Sequence, residues 1–511
     1  MAWPAAHRWR PSAALPTLNL VWAFCLTPAA GAIESSAAVQ MVDDHLTLVQ
    51  ADLWPFPARL RADRPGASSA GATASWSRRQ ALRNYKDVQY TADITVGGQV
   101  VSGIIDTGSY ELVVFERHCE GCGLAAVYNH DESNTYQPGK LSRSLRYGSG
   151  DLYAREGFDL VSVGAIGAVN QSFWESTEAY MPVLERASFQ SIIGVGPPET
   201  PAWEAWSSTA KVIRRLQDTL GQQGNYSRTL LAAANSMAFS VEISRLPTLM
   251  TAYGFRGFSL CLGNRPESSG YFIWNDTTAE ELPASFRRVP VVGRHSWTVK
   301  MTDVRLGLKG LLSPDQNLGA TGTIDLSCAE GCGAIVDSGS SFLLMPRSVV
   351  ILLEETLSEL DVNCSNMNEL PDLVFNLGEH TFSLPPDAYL SKVTNPVHPS
   401  AANLIRVRDL TFNGACELSV LETTSQTAMG PLWILGMPFF RKYYTTFSLG
   451  RSRDERALLV AQAGADCYPI NGETSLHRER GTQVFSRQMD LSHSYISPLV
   501  AKALSTDQLD L

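Results

Sequence analysis

The 511-residue sequence lacks the short motifs that most often identify an enzyme. It has no Gly-x-Ser-x-Gly segment, which would indicate a serine nucleophile on a sharp turn, and no His-Glu-x-x-His segment, which would indicate a zinc site. Its 9 histidines are scattered along the chain, and a lone histidine is more often structural than catalytic. The pattern therefore favours neither serine nor zinc chemistry.

The sequence also lacks an excess of positive charge and long apolar runs. Lys and Arg number 41 against 51 Asp and Glu, and the net charge of −10 argues against a general nucleic-acid binder. Beyond the first 32 residues no apolar stretch approaches the length of a transmembrane helix, and the polar C-terminus carries no lipid-anchor signal. The composition, 44% hydrophobic and 18% charged, is typical of a soluble protein with a large core.

One short pattern occurs twice. Two apolar residues precede an Asp that is followed by Thr or Ser, Gly and Ser, first at Asp106 and again at Asp337, 231 residues later. The apolar pair is typical of the end of a buried strand, and the Gly of a tight turn that leaves the Asp facing a cavity. Ile192-Ile193-Gly194 and Ile434-Leu435-Gly436 follow the two Asp residues by 88 and 99 positions. A repeat of this size predicts two similar lobes that each supply one carboxylate to a shared cleft.

These segments resemble the pepsin-type aspartic proteases, and the resemblance covers residues 84–467. That family carries Asp-Thr/Ser-Gly twice, a hydrophobic-hydrophobic-Gly segment after each copy, and a flap Tyr between them. The resemblance implies an all-β, bilobal fold with pseudo-two-fold symmetric lobes and a few short helices. It also implies an aspartic endopeptidase with no cofactor and no metal.

The resemblance assigns roles to both motifs. Asp106 and Asp337 are expected to hold one water and share one proton, because two adjacent carboxylates disfavour double ionisation. One would act as general base on the water, and the other would protonate the departing nitrogen. The residues expected to support this pair are Thr107, Gly108, Ser109, Ser338, Gly339 and Ser340.

Ser109 and Ser340 are expected to hydrogen-bond the outer carboxylate oxygens, whereas Thr107 and Ser338 should reach across between the lobes to backbone groups. The expected flap and substrate-binding residues are Tyr147, Gly148, Ser149, Gly150 and the pocket wall Ile104. Tyr147 should fold over the bound peptide, with backbone contacts from Ser149 and Gly150.

Two departures from the family pattern concern the flap. Val113 stands where many members have the Trp that anchors the flap Tyr, so Tyr147 needs another partner for its hydroxyl. Tyr110-Glu111 resembles members from protists more than the vertebrate gastric enzymes.

Cysteine spacing predicts disulfides. In a secreted chain the close pairs should bridge small loops, and Cys364 with Cys416 resembles a third family bridge. The predicted bridges are Cys119–Cys122, Cys328–Cys332 and Cys364–Cys416. Cys261 and Cys467 leave two alternatives, a bridge between them or a buried thiol at Cys261. A metal site at the close pairs is the weaker interpretation, because no His lies at zinc-finger spacing.

The N-terminal region predicts processing. Residues 1–32 combine a basic start, a short apolar run and small residues, which is typical of a secretory signal peptide. Residues 33–83 are predicted to be a propeptide, and six arginines between residues 59 and 83 would be attracted to an acidic cleft. A disordered linker is the alternative. The segment has no Lys before Lys86, which leaves open the residue that would block the dyad.

The rest of the chain divides into an N-terminal lobe (84–281), a C-terminal lobe (282–467) and a polar tail (468–511) that is predicted to be disordered. Helical periodicity predicts helices at 210–223 and 348–360. Residues 226–255 are predicted to be part strand and part surface insertion, since they contain Pro247.

The sequence thus predicts a secreted, monomeric endopeptidase made as a zymogen, which cleaves peptide bonds flanked by apolar residues. Its expected partners are a peptide substrate and its own propeptide, with no stable membrane anchor. Its expected location is the secretory pathway, either outside the cell or in an acidic vacuolar or lysosomal compartment. The sequons that predict glycosylation are Asn170, Asn225, Asn275 and Asn363.

Two alternative functions remain at this level. One is a catalytically inactive relative that binds peptides in the same cleft. The presence of both Asp residues and of Tyr147 argues against this alternative. The other is a thiol-disulfide enzyme that uses Cys119 and Cys122, which would need a reactive thiol of low pKa.

Overall fold

The computed structural model describes residues 78–220, 226–307, 322–358, 360, 364–395, 413–470 and 483–509. All of them belong to one compact unit that spans residues 70–511. The predicted signal peptide, most of the predicted propeptide and the sequons at Asn225 and Asn363 lie outside the described residues.

Strands dominate the described chain, which confirms the predicted all-β class. In chain order the strands are β1 (Arg79–Tyr85), β2 (Gln89–Val96), β3 (Gln99–Asp106), β4 (Leu112–Glu120), β5 (Gln137–Tyr147), β6 (Gly150–Val163), β7 (Val169–Tyr180), β8 (Ser191–Gly194), β9 (Gly257–Cys261), β10 (Gly270–Trp274), β11 (Arg287–Pro290), β12 (Thr298–Gly307), β13 (Thr323–Ser327), β14 (Cys332–Val336), β15 (Leu343–Pro346), β16 (Asp372–Leu377), β17 (His380–Leu384), β18 (Leu390–Thr394), β19 (Asn413–Leu418), β20 (Val420–Thr423), β21 (Gln426–Thr427), β22 (Gly430–Leu435), β23 (Tyr443–Ser448), β24 (Ala457–Gln462) and β25 (Gln488–Asp490).

The helices are fewer. They are α1 (Thr200–Leu220), α2 (Tyr226–Arg245), α3 (Leu249–Tyr253), α4 (Thr278–Glu281), α5 (Arg347–Ser358), α6 (Met437–Lys442) and α7 (Pro498–Ser505). Among the described residues, no helix combines the length and the apolar character needed to cross a bilayer.

Three sheets organise these strands. A 13-stranded sheet has the order β11-β24-β23-β9-β10-β1-β2-β3-β8-β4-β7-β6-β5. A 9-stranded sheet follows β17-β16-β12-β14-β22-β15-β20, with β13 and β21 paired at its side, and β19-β18-β25 form a third. The first sheet carries the first Asp motif, and the second sheet carries the second.

The internal repeat has a structural counterpart. β3 pairs in parallel with β8, and β14 pairs in parallel with β22. The two downstream hydrophobic segments of the repeat are therefore the strands that flank the two Asp strands. Since these central strands are buried on both faces, their sequences are apolar runs rather than alternating patterns.

Two predictions about the elements were wrong. Residues 226–255 form the helices α2 and α3, not a strand. Pro247 lies between the two helices, so it interrupts the interior of neither. The tail is also not disordered over its whole length, since residues 483–509 form β25, a 3₁₀ turn and α7. Residues 210–220 of the helix predicted at 210–223 lie in α1, which begins ten residues earlier at Thr200, and residues 221–223 lie outside the described residues.

Candidate active site

Each candidate Asp lies where a buried central strand ends. β3 ends at Asp106, whose carbonyl accepts a hydrogen bond from Val195 N–H at 2.9 Å beyond β8. Asp337 directly follows β14, and its own N–H donates to Leu435 O of β22 at 3.0 Å. The strand pairing thus fixes both Asp backbones, and both side chains are fully buried.

Reciprocal hydroxyl bonds join the two motifs. The Thr107 hydroxyl donates to Val336 O at 3.0 Å, and the Ser338 hydroxyl donates to Ile105 O at 2.7 Å. Each hydroxyl oxygen also accepts the N–H of the other residue, at 2.9 Å for Thr107 and 3.1 Å for Ser338. These bonds run between segments 231 residues apart and match the predicted roles of Thr107 and Ser338.

The two turns pack so closely that each needs a glycine. A Cβ atom on Gly339 would lie 2.2 Å from Asp106 Oδ1, and one on Gly108 would lie 2.8 Å from Asp337 Oδ1. Each glycine N–H instead donates to its own Asp, at 2.8 Å from Gly108 and 2.9 Å from Gly339. Each carboxyl group therefore lies against the turn of the other motif, close enough for the two groups to influence each other's pKa.

The two serines of the motifs behave differently. Ser109 donates to Asp106 Oδ2 at 2.7 Å, as predicted. The corresponding prediction for Ser340 was wrong, because its one hydroxyl proton goes to Phe342 O at 2.9 Å. Asp337 Oδ2 instead accepts a bond of 2.6 Å from Ser497, a residue of the C-terminal tail.

Burial controls the protonation of the pair. Burial raises the pKa of Asp106, and the hydrogen bonds from Ser109 and Gly108 offset part of that rise. Burial and then the charge of Asp106 raise the pKa of Asp337. Both shifts favour retention of a proton by the pair, because two neighbouring buried like charges are unfavourable.

The predicted flap is a β-hairpin over the dyad. β5 ends at Tyr147, which pairs with Gly150 at the start of β6 and leaves Gly148 and Ser149 at the tip. The tip contacts the tail: Gly148 N–H donates to Ile496 O at 3.0 Å, and the Ser149 hydroxyl accepts from Ile496 N–H at 2.9 Å. The flap groups that contact the tail are therefore Gly148 and Ser149, whereas the backbone contacts of Ser149 and Gly150 to a bound peptide stay a prediction.

An apolar cluster lies beneath the flap. Ile104, the predicted pocket wall, is buried in this cluster with Tyr147, Phe189 and Tyr495. The Tyr495 ring lies 6.0 Å from the Tyr147 ring and 6.1 Å from the Phe189 ring, centroid to centroid. The Tyr495 hydroxyl donates to Asp106 Oδ2 at 3.0 Å.

Sequence reasoning missed the two tail residues that reach the dyad, Tyr495 and Ser497. A local signal was present: Ser497-Pro498 combines an N-cap Ser with a Pro in the first helical turn, and Ser497 does cap α7. That signal predicts an ordered helix in the tail. It does not predict where the helix docks.

The unusual Tyr110-Glu111 pair belongs to a charged network near the flap strand. Tyr110 donates to Glu204 of α1 at 2.7 Å, and Arg143 of β5 pairs with Glu111 at 3.2 Å. Arg143 also lies over the Trp174 ring at 5.4 Å. These contacts connect a flap strand to the turn before β4, to β7 and to α1. A hydroxyl partner of Tyr147 that would replace the missing Trp stays a prediction.

The arginines at the end of the predicted propeptide contact the sheet. Arg79, in β1, donates to Asp466 O at 2.6 Å and lies 3.8 Å over the Tyr271 ring. Arg83 pairs with Asp93 of β2. Since residues 79–82 also pair with β10, this part of the 33–83 segment belongs to the folded sheet, not to a cover over the dyad.

One cluster of side chains has the spacing of a metal site but is already paired. Oxygen and nitrogen atoms of Glu116, His130 and Glu175 lie within 4.8 Å of one another. Glu175, however, accepts from Arg155 at 2.8 Å and bonds His130 at 2.6 Å. A guanidinium on this carboxylate opposes a cation there, so we interpret the cluster as a buried ion-pair network.

All three predicted disulfides are present in the structure. Of the two alternatives for Cys261 and Cys467, the structure shows the bridge between them. The bridges are Cys119–Cys122, Cys328–Cys332, Cys364–Cys416 and Cys261–Cys467.

Comparisons with known proteins agree with this geometry. The model of the eukaryotic aspartyl protease family matches residues 89–236 and 255–458. Pepsin A of Bos taurus is 26% identical over 385 residues, which cover 73% of this chain and 85% of the pepsin. Renin-2 of Mus musculus is 28% identical over 73% of this chain and 80% of the renin.

Gastricsin of Homo sapiens is 28% identical over 383 residues, or 72% of this chain and 81% of the gastricsin. The unmatched gap at 237–254 covers the end of α2 and all of α3, so this helical stretch is a departure of the chain from the family model. With both Asp strands inside the matched segments, the chain belongs to the eukaryotic aspartyl protease family, a family of aspartic endopeptidases.

Proposed function

We propose that this chain is a secreted endopeptidase, made as a zymogen, that cleaves peptide bonds flanked by apolar residues with Asp106, Asp337 and one water. The observation that carries the proposal is the meeting of two buried carboxyl groups from chain segments 231 residues apart, joined by the Thr107 and Ser338 hydroxyls. Such a pair with raised pKa values supplies a base and an acid at the same pH.

The proposed reaction uses one proton-sharing pair throughout. The ionised carboxylate takes a proton from the water as its oxygen bonds to the peptide carbonyl carbon. The protonated carboxyl donates a hydrogen bond to the carbonyl oxygen. A proton then passes to the peptide nitrogen as the C–N bond breaks, which yields one new carboxyl and one new amine. Which Asp holds the first proton is a property of the coupled pair.

The flap and the apolar cluster support the proposed substrate class. An extended peptide would pair its backbone with Gly148 N–H and the Ser149 hydroxyl, the groups that hold Ile496 here. Its apolar side chains would contact Ile104, Tyr147 and Phe189, which are buried together with Tyr495.

Secretion and processing are part of the proposal. Sequencing of the secreted protein should give an N-terminus at or beyond residue 33, and Asn170, which is exposed, should carry a glycan. The protein should elute as a monomer. An N-terminus within the first 32 residues would contradict the signal peptide.

Asp106→Asn and Asp337→Asn test the dyad, with the exposed Asp454→Asn as a matched control. With a quenched-fluorescence peptide of apolar residues, each dyad variant should lose about 10²- to 10⁴-fold in kcat, because it loses an acid or a base. The control should cleave as the parent does. Equal rates in all four proteins would remove the dyad from the mechanism. Peptide binding without cleavage in the parent would favour the inactive peptide-binding relative.

A further inference from the structure

The C-terminal segment 487–509 passes directly over the dyad and under the flap. It begins with β25, which pairs in parallel with β18, continues through residues 491–497, and ends in α7. This course places residues 495–497 between the flap tip and both Asp motifs. The segment therefore occupies the position in which the proposed function places a substrate.

Both carboxyl groups of the dyad are bound by hydroxyls of this segment. Tyr495 donates to Asp106 Oδ2 at 3.0 Å, and Ser497 donates to Asp337 Oδ2 at 2.6 Å. The Ser497 oxygen also accepts from Val500 N–H at 3.3 Å as the N-cap of α7. The start of the helix thus fixes the hydroxyl that contacts Asp337.

The residue between these two contacts is held on both sides. Ile496 bonds the flap through its own N–H and carbonyl, and it forms an antiparallel bridge with Ser340 of the second Asp motif. A Cβ atom on Gly148 would lie 2.1 Å from Ile496 Cγ2, so the flap closes on the segment to contact distance. The flap thus holds this stretch by its backbone, as expected for an extended peptide.

A buried ion pair fixes the segment at its start. Arg487 is fully buried and lies 3.2 Å from both Asp87 and Asp387. Its guanidinium also donates to Asn264 O at 2.6 Å. Asp87 lies between β1 and β2, and Asp387 lies between β17 and β18, so Arg487 attaches the segment to two separate turns of the protein.

The other end is held by apolar packing and backbone bonds. Val500 and Ala503 of α7 are buried in one cluster with Ile335, Phe342 and Ile434 of the second sheet and its loops. Thr423 donates to Ala503 O at 3.0 Å, and Gln426 exchanges backbone bonds with residues 507 and 509, at 2.9 Å and 2.8 Å.

We infer that residues 487–509 are an intramolecular inhibitor of this protease. The segment binds the dyad, the flap and the apolar cluster as a peptide does, but it offers two side-chain hydroxyls to the carboxylates instead of a scissile carbonyl. No peptide bond is therefore presented for hydrolysis, and the segment has to leave before substrate binds. The inference states that the segment occupies the cleft. It rests on the proposed function only in taking peptide cleavage to be the activity that the segment blocks.

The test compares three secreted proteins with the same N-terminus and an intact C-terminus, verified by mass. They are the parent, Tyr495→Ala/Ser497→Ala, and Ser505→Ala, an exposed hydroxyl of α7 remote from the dyad as matched control. The probe is a peptide with apolar side chains and a non-cleavable hydroxyethylene group in place of one peptide bond. Its dissociation constant and the cleavage rate of a fluorogenic peptide are both measured.

The double variant should bind the probe at least about tenfold more tightly and cleave at least about tenfold faster than the parent, with the control unchanged. A synthetic peptide of residues 488–509 should inhibit the double variant, and the same peptide with Tyr495→Ala should inhibit it less. If the double variant does not fold, Tyr495→Phe and Ser497→Ala each remove one hydroxyl and should each raise probe affinity at least about threefold.

Equal probe affinity in the parent and the hydroxyl variants would overturn the inference and make the segment a permanent structural element. The two proposals fail separately. Tighter probe binding in the double variant without cleavage by any protein would contradict the proposed function alone. Equal cleavage by all three proteins would contradict the inhibitor alone.

Discussion

Hydroxyl groups set the geometry of the cleft at the scale of single residues. The hydroxyls of Thr107 and Ser338 join the two motifs, and a third, on Ser109, orients Asp106. Each is buried, so its removal leaves a buried polar group without its partner.

Ser338→Ala tests the junction. It removes the donor to Ile105 O and the acceptor for Thr107 N–H, so we expect a loss of about 1–3 kcal/mol in the free energy of unfolding. Ser338→Thr keeps the hydroxyl and should stay within about 1 kcal/mol of the parent. Urea denaturation measures both. Equal loss in the two variants would assign the effect to packing rather than to the hydroxyl.

The dyad predicts a pH dependence of stability. Burial raises the pKa of both Asp residues in the folded state above their ordinary value of 3.8. The stabilisation from the bound proton is therefore fully present below pH 3.8 and is lost as pH rises through the raised pKa values.

We accordingly expect the Tm of the parent to fall from about pH 4 to about pH 8 by more than the Tm of Asp337→Asn, because Asn does not ionise. Scanning calorimetry across that range measures the difference. Parallel profiles of the two proteins would show that the pair does not take up a proton on folding.

Sequence reasoning identified the residues whose role is local. The contacts of Asp106 with Gly108 and Ser109 lie within one turn, so the spacing of the motif was enough to predict them. Ser340 has the same spacing but a different partner, because Phe342 O and Ser497 compete for the bonds expected between Ser340 and Asp337. Ser497 lies 160 residues from Asp337, so a local motif could not predict this contact.

At the scale of elements, the attachment of the C-terminal segment rests on Arg487. Arg487→Gln should destabilise the docking of this segment by about 3 kcal/mol, because it removes the cation paired with Asp387 and one of the two arginines that act on the buried Asp87. Hydrogen exchange at the Ile496 and Val500 amides measures the loss. Lys86→Gln, which breaks an exposed pair with Glu267, is the control and should change exchange by less than about 1 kcal/mol. Unchanged protection in Arg487→Gln would show that α7 alone holds the segment.

The same ion pair bears on acid activation. Although burial raises the pKa of Asp87, Arg441 and Arg487 outweigh it and lower that pKa below 3.8. This stabilisation is present above pH 3.8 and is lost as pH falls through the lowered value. We therefore expect the amides of the segment to remain protected at about pH 5. Their full exchange at that pH would show that mild acid suffices for release.

Elements with a strong period were predictable, and those defined by packing were not. The apolar spacing of α5 predicted its helix correctly. α2 has no clear amphipathic stripe in its sequence, and Pro247 beside it favours a loop, so the strand predicted within residues 226–255 was wrong. The tail was predicted to be polar and disordered, but Ile496, Val500 and Ala503 are all buried in one cluster with residues of the second sheet. The amino-acid composition of the tail does not predict that it packs against the second sheet.

At the scale of the whole molecule, one disulfide closes a much longer loop than the others. Cys261–Cys467 joins positions 206 residues apart, whereas Cys119–Cys122 spans 3. By loop-closure entropy, Cys467→Ser with Cys261→Ser should lower the free energy of unfolding by about 5 kcal/mol, against about 2 kcal/mol for Cys119→Ser with Cys122→Ser. Denaturation of the two double variants tests this order, and the reverse order would show that native contacts rather than chain entropy dominate.

The repeat predicted the architecture because symmetric lobes repeat their strand pairings, β3 with β8 and β14 with β22. The occupant of the cleft lies outside the repeat, in a segment after the second lobe. It could not be predicted from symmetry, since nothing in the first lobe corresponds to it among the described residues.

The most direct test of the central claim is the pH dependence of kcat/KM in the hydroxyl variant Tyr495→Ala/Ser497→Ala, alone and combined with Asp337→Asn. A shared proton between Asp106 and Asp337 predicts a bell-shaped profile, with both limbs belonging to the pair, and its collapse in the Asn variant. A flat profile across the acidic and neutral range, or an unchanged profile after Asp337→Asn, would contradict it.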